Sequence, residues 1–129
     1  VTLALPEPEA TTAWLQAVIQ KEGYQLVHLN FIFCSDRYLH EKNVQYLQHD
    51  TLTDVLTFDY ADTAQAVEGD IYISLERVQA NAVQHSWVQE LRTVMVHGVL
   101  HLLGYDDQDP SEQLLMRQKE AFYLDTWKY

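Results

Sequence analysis

Two histidines four residues apart stand in the apolar half of a long helical segment. His97 and His101 belong to the stretch HGVLHLLGYDD, residues 97 to 107, and residues 87 to 96 before it share the same helical pattern. Side chains four positions apart lie on one face of a helix, about 40° from each other, so both imidazoles can reach one metal ion. Burying two imidazoles without partners is unfavourable, and a metal would offset that cost.

The residues after the second histidine supply a candidate third ligand. Gly104 is expected to end the helix in a left-handed conformation and to turn the chain back, which would bring Asp107 to the histidines. The pattern H-x3-H-x2-G-x2-D has the spacing of the extended zincin motif, with aspartate in the last place. Three protein ligands and an open fourth position are typical of catalytic zinc. We therefore predict one zinc ion per chain at the two histidines and Asp107, with Asp106 and Asp109 as rival third ligands or as residues of a capping loop.

The alternative interpretation is that both histidines are core residues bonded to backbone carbonyls. Their paired spacing, the following glycine and the acid after it favour a metal site. The residue after the first histidine is Gly98, where a peptidase of this pattern carries its general-base glutamate, so peptidase chemistry is disfavoured. Glycine inside a helix costs about 1 kcal/mol relative to alanine. We therefore expect Gly98 to permit the close approach of another backbone.

Composition indicates a soluble globular protein with one domain over residues 1–129. The chain of 129 residues is 47% hydrophobic and 21% charged, which suffices for a core of its own. It shows no apolar run near the roughly 18 residues of a membrane span and no secretory signal, so we expect a cytoplasmic protein without a membrane partner. A single cysteine, Cys34, excludes an internal disulfide and is interpreted as a core thiol.

The chain is strongly acidic. Its formal net charge of −11 disfavours nonspecific contact with the phosphate backbone of nucleic acids. Any interaction with nucleic acid must therefore depend on a local site.

Hydrophobic periodicity predicts a mixed α/β order with the strands early and the helices dominating the end. The predicted elements are a helix (11–22), a strand (24–34), a helix (35–48), two strands (54–60 and 69–75) and three helices (76–85, 87–103 and one opening at 109). Gly23 is expected to end the first helix. Asp109, Pro110 and Glu112 resemble the N-cap, the first-turn proline and the capping-box acid of the last helix.

Three stretches of the chain resemble one protein family. HGVLHLLGYDD matches the signature H-G-x-L-H-L-x-G-Y-D-H of the YbeY family of bacterial zinc-dependent endoribonucleases at every specified place but the last. NVQYLQHDTLTDVLTFDY (43–60) is similar to the family's N-x-x-Y-R-x-K-D-x-P-T-D-V-L-S-F, and GDIYIS (69–74) also matches. The resemblance spans most of the chain from about residue 30 onward.

The resemblance implies a fold, an activity and partners. The implied fold is α/β, with a small mixed sheet of about four strands packed by helices and a zincin-like metal helix at the centre. The implied activity is metal-dependent cleavage of single-stranded RNA, in maturation of small-subunit ribosomal RNA and in ribosome quality control, in the cytoplasm. The implied partners are ribosomal RNA and ribosomal or assembly proteins. Two other functions stay open, a non-catalytic zinc-containing ribosome-assembly factor and a small zinc peptidase.

The chain departs from the family pattern at two places. The family's third metal histidine falls on Asp107, and two histidines with a carboxylate still suit zinc. The family's arginine, which the resemblance implies assists catalysis or holds phosphate, falls on Leu47, so that contact is expected to be missing. His49 at the family's lysine position would be partly cationic near its ordinary pKa of about 6.5. Tyr105, beside the predicted metal loop, is the best candidate for stacking on an unpaired base, and no residue is assigned as general base.

Overall fold

Five helices pack around a three-stranded sheet in the computed structural model, which describes residues 8–47, 55–83, 86–106 and 108–127. The helices are α1 (Pro8–Lys21), α2 (Asp36–Lys42), α3 (Leu75–Asn81), α4 (Trp87–Leu102) and α5 (Pro110–Asp125). The strands are β1 (Gln25–Cys34), β2 (Val55–Asp59) and β3 (Ala66–Ser74), and a π-helical turn over Asn43–Leu47 follows α2. The predicted α/β order is confirmed, while the single-domain organisation stays a prediction.

The sheet is mixed, with β3 in the centre. β1 runs parallel to β3 on one side, and β2 runs antiparallel to it on the other. The expectation of about four strands is wrong for the described residues, which form three. Hydrophobic alternation had supported three strands, and the fourth came from the family resemblance alone.

The central strand separates two chemically different faces. Val67, Ile71 and Ile73 are buried in the core cluster on the side of α1 and α4, while the alternate residues Asp70 and Tyr72 lie on the opposite face. β3 begins at residue 66 rather than 69 because its parallel pairing with β1 extends to that residue. Tertiary pairing therefore lengthens the strand beyond its own hydrophobic pattern.

α4 is the central helix, buried on most of its circumference. The N-cap side chain of Ser86 accepts a hydrogen bond from the backbone N–H of Gln89 at 3.2 Å. At the other end Gly104 has φ +102°, and the N–H of Tyr105 donates to the carbonyl of Leu100 at 3.1 Å. The predicted glycine-terminated helix end is thus confirmed. The buried residues of α4 are Leu91, Arg92, Val94, Met95, Val96, Gly98, Val99, Leu100 and Leu102.

Gly98 allows α4 to lie close to the sheet. A Cβ at this position would lie 3.0 and 3.2 Å from two side-chain carbons of Ile71 and 3.4 Å from a methyl carbon of Val55. The close approach predicted from a neighbouring backbone therefore comes from two strand side chains instead. An added Cβ would require these side chains to give way by a few tenths of an ångström, which a close-packed interior resists.

Helix boundaries agree with the sequence where capping side chains define them. The capping box of Asp109 and Glu112 is present at the start of α5, and Gly23 has φ +88° just after α1. α2 ends at Lys42 and α3 at residue 81, both earlier than predicted, whereas α1 begins earlier, at Pro8.

Among the described residues, none of the helices combines the length and apolar character that crossing a membrane requires.

Cys34, the last residue of β1, is half-buried and so is less enclosed than the predicted core thiol. Burial, followed by the nearby charge of Asp36, raises the pKa of the thiol to about 11. Its sulfur donates to the carbonyl of Ile73 at 3.5 Å. The group is therefore a protonated packing residue at neutral pH, without the thiolate character that reactivity requires.

A carboxylate at the end of α1 ties three parts of the fold together. Glu22 accepts hydrogen bonds from the hydroxyl of Tyr105 at 2.6 Å, from the ammonium of Lys119 at 3.1 Å and from the hydroxyl of Tyr123. Burial alone would raise the pKa of Glu22, but these three donors together lower it. The hydroxyl of Tyr105 is thus held by Glu22, while the stacking role of its ring stays a prediction.

Replacement of Glu22 should make stability depend on pH. Glu22→Gln should lower the free energy of unfolding at pH 7 by about 2 kcal/mol, as for hydrogen bonds to a charged group. The stabilisation by Glu22 is present above its ordinary pKa of 4.5 and is lost as the pH falls through the lower folded-state value. The two proteins should therefore converge in acid when unfolding is measured by denaturant titration.

The matched control is Glu9→Gln, which removes the same charge at an exposed position in the first turn of α1. It should change stability by a few tenths of a kcal/mol, through the helix dipole alone. A difference between Glu22→Gln and wild type that stays constant from pH 7 to about pH 3 would contradict the role of the carboxylate.

Candidate metal centre

The two histidines of α4 converge on each other. Their Nε2 atoms lie 3.0 Å apart, with the ring centroids 4.6 Å apart and the ring planes at 81°. Two nitrogens bound to one tetrahedral zinc at 2.0–2.1 Å would be separated by about 3.3 Å. His97 and His101 therefore stand close to the separation that a shared metal ion requires, and the donor set fits the predicted zinc.

A carboxylate from α5 contacts the other side of the first ring. Nδ1 of His97 lies 2.5 Å from Oε2 of Glu120, and the two side chains are 23% and 15% exposed. Metal-binding histidines commonly donate their second ring N–H to a carboxylate in this way. The pair therefore has the outer-sphere arrangement of a metal site, with Nε2 of His97 left for the ion.

A cavity of about 420 Å³ opens between α4 and α5 beside this pair. His97 and Thr93 line it from α4, and Met116, Arg117 and Glu120 line it from α5. Arg117 is exposed and makes no hydrogen bond or ion pair within the described ranges. The cavity thus brings an exposed cation and several polar side chains next to the candidate ligand.

The third predicted ligand, Asp107, lies outside the described residues, so its role stays a prediction. Within the described ranges no group of three histidine, cysteine, aspartate or glutamate side chains is placed to hold a metal. Of the rival ligands, Asp106 is exposed. Asp109 accepts from the backbone N–H of Glu112 at 2.8 Å and from the Ser111 hydroxyl at 2.7 Å, and these bonds lower its pKa. Asp109 is therefore occupied as the cap of α5.

The position of the missing family arginine is also only partly described. Leu47 ends the π-helical turn, its side chain lies outside the described part of the chain, and so does the whole of His49. The predicted loss of a phosphate contact at Leu47 therefore stays untested.

Glu120 is the residue of the candidate site that sequence reasoning missed. Met116, Glu120 and Tyr123 share one face of α5 at helical spacing, and Met116 and Tyr123 are each 2% exposed. An acidic residue between two core residues indicates a buried partner, since a carboxylate is seldom buried unpaired. The partner itself could not be named, because no local spacing relates α5 to α4.

Comparisons with known proteins agree with this architecture. The sequence profile of the family described as Endoribonuclease YbeY matches residues 6–128. The chain is 58% identical over 126 residues to an Endoribonuclease YbeY of Amoebophilus asiaticus, covering 96% of this chain and 86% of that protein. It is 47% identical over 118 residues to the protein of the same name from Cytophaga hutchinsonii, covering 90% and 82%.

A solved structure has a similar fold. A solution structure from Thermotoga maritima superposes with a TM-score of 0.65 at 33% identity, covering 91% of this chain and 78% of that one. The profile match spans nearly the whole chain, and the identities to the named relatives are high over most of their length. On this evidence, the chain belongs to the YbeY family of endoribonucleases.

Proposed function

We propose that this protein cleaves single-stranded RNA with the help of one zinc ion held by His97, His101 and Asp107. Its relatives are named endoribonucleases, which makes it a hydrolase of phosphodiester bonds. Maturation and quality control of small-subunit ribosomal RNA in the cytoplasm is the proposed setting, with ribosomal or assembly proteins as further partners. The observation that carries the metal proposal is the 3.0 Å convergence of two imidazole nitrogens on α4.

The chemistry that a metal supplies in such a site is polarisation of a phosphoryl oxygen and activation of water at neutral pH. Two imidazoles with one carboxylate are donors that suit zinc and leave a fourth position open for the reaction. His97 and His101 hold the site on a buried helix, so the position of the reaction centre is fixed by the core and not by a loop.

The chain's own contribution to RNA binding centres on Arg117. Its exposed guanidinium lines the cavity that contains His97, and a guanidinium can bind phosphate through two parallel hydrogen bonds. Glu90 and Glu120 also line the cavity, so the electrostatic potential inside it is not positive throughout. Arg117 therefore acts as a local contact for one phosphate, which suits a net charge of −11 better than a long basic surface would.

Single-stranded RNA is the proposed substrate for a geometric reason. An unpaired strand can insert its phosphodiester into a site between two helices. A duplex is too wide to enter such a site, because its backbones lie on the outside of a broad double helix. A protein with this acidity also has little charge with which to hold a duplex.

Metal analysis tests the ligand set. Wild-type protein should contain one zinc ion per chain, and His97→Ala, His101→Ala and Asp107→Ala should each lose most of it, because each removes one of three donors. Asp106→Ala is the matched control and should keep its zinc. Full occupancy in Asp107→Ala together with loss in Asp106→Ala would overturn the assignment of the third ligand.

Cleavage assays test the activity. Unpaired RNA should be cut, with duplex RNA and DNA of the same sequence largely spared, and both chelation and His101→Ala should abolish cutting. Casein in parallel tests the peptidase alternative, and an inactive protein that retains zinc and binds ribosomal components would favour the assembly-factor alternative. Cutting that survives chelation and His101→Ala would show that the activity belongs to another protein.

Substitution of Arg117 tests the phosphate contact. Arg117→Ala should weaken binding of a single-stranded RNA about tenfold, which corresponds to about 1.4 kcal/mol, and Arg117→Lys should lose less because it keeps the charge. Fluorescence anisotropy of a labelled oligonucleotide measures the affinity. Arg37→Ala is the control, since Arg37 is 90% exposed on α2 and pairs with Glu41. Equal affinity for Arg117→Ala and the control would show that Arg117 does not contact the RNA.

A further inference from the structure

We propose that Glu120 is a positioning residue, which sets the tautomer and the orientation of His97 before a metal binds. The inference rests on the proposed function in that it takes His97 to be a metal ligand. It adds a residue from α5 that lies outside every motif of the sequence and makes α5 part of the metal site.

The hydrogen-bonding chemistry of the contact determines where the proton lies. Nδ1 of His97 and Oε2 of Glu120 are 2.5 Å apart. An ionised carboxylate can only accept hydrogen bonds, and a neutral imidazole has one donor nitrogen and one acceptor nitrogen. The proton of His97 is therefore on Nδ1, and the lone pair on Nε2 is directed toward Nε2 of His101 at 3.0 Å.

The carboxylate is itself held in place by the packing of α5. Met116, one turn before it, is buried against the core, and Tyr123, nearly one turn after it, is also buried. The backbone carbonyl of Tyr123 accepts from the indole N–H of Trp14 at 2.9 Å. Tyr123 and Lys119, on either side of Glu120, both donate to Glu22. A helix anchored at these points gives the Glu120 side chain little freedom.

The functional consequence is a ligand that is ready before the ion arrives. Without a partner on Nδ1, the ring of His97 can carry its proton on either nitrogen, and the Nε2–H tautomer cannot bind a metal through Nε2, the nitrogen that faces His101. The loss of such outer-sphere partners typically lowers metal affinity 10–100-fold. Glu120 thus acts on the metal through His97, without binding the ion itself.

Two measurements test the inference, and the first needs no metal. In the metal-free protein, nitrogen NMR of the imidazoles should show His97 as the Nδ1–H tautomer in wild type and as a mixture in Glu120→Ala. The second is zinc affinity by competition with a chelator, which should fall 10–100-fold in Glu120→Ala. Glu120→Gln should lose less, because its amide oxygen still accepts from Nδ1. Glutamine has nearly the same size and shape as glutamate, so Glu120→Gln keeps the test possible if Glu120→Ala does not fold.

The control variant is Glu41→Gln, which removes one negative charge from a side chain that is 61% exposed on α2. It should leave both the tautomer of His97 and the zinc affinity unchanged. The melting temperature of the metal-free variants separates a packing effect from a positioning effect, because lost packing alone would lower it without shifting the tautomer.

The outcomes separate this inference from the proposed function. Wild-type protein that binds no zinc, or His97→Ala that binds it as tightly as wild type, would overturn the metal site itself. Zinc binding that is lost in His97→Ala but unchanged in both Glu120 variants would overturn only the positioning role. An Nε2–H tautomer for His97 in the wild type would overturn that role regardless of any metal.

Discussion

The close packing of α4 against β3 is the constraint on which the rest of the structure depends. Gly98 has no side chain to separate them, and a Cβ there would come within 3.0 Å of Ile71. A helix held this close to a sheet buries most of its surface, which explains why its second half is almost wholly apolar. Positions 97 and 101 lie about 60–100° around the helix from Gly98. The same contact that presses one side of α4 onto the sheet therefore leaves His97 facing α5 and the cavity between the two helices, with His101 next to it.

Two partly buried carboxylates then determine how α5 lies on this core. Glu22 accepts hydrogen bonds from Tyr105, Lys119 and Tyr123. These bonds connect the end of α1 with the turn after α4 and with the second half of α5. Glu120, one residue after Lys119, contacts His97. Lys119, which donates to Glu22, and Glu120, which contacts His97, are adjacent residues of α5. The packing that stabilises the fold therefore also places the side chain that orients a candidate ligand. Stability and site geometry are coupled through a few residues of α5.

The acidity of the chain and its membership of an endoribonuclease family are compatible if RNA contact is local. A net charge of −11 repels a phosphate backbone at long range, but salt screens that repulsion over about 8–10 Å. Contact then depends on the few groups at the site, among which Arg117 is an exposed cation beside His97. Under the proposed function, this arrangement suits a short unpaired segment, which needs few phosphate contacts, better than a long duplex, which needs many.

The sequence alone determined the features that depend on neighbouring residues. The order of strands and helices, the glycine-terminated end of α4, the capping box of α5 and the pairing of His97 with His101 all follow from spacings of a few residues, because capping and helical periodicity are local. Tertiary structure decided what depends on contacts between distant segments. It extended β3 to residue 66 through pairing with β1, showed that strand side chains and not a backbone fill the space beside Gly98, and brought Glu120 to His97 across 23 positions of chain. No spacing rule relates such residues, because the packing of the whole core sets the angle at which α5 crosses α4.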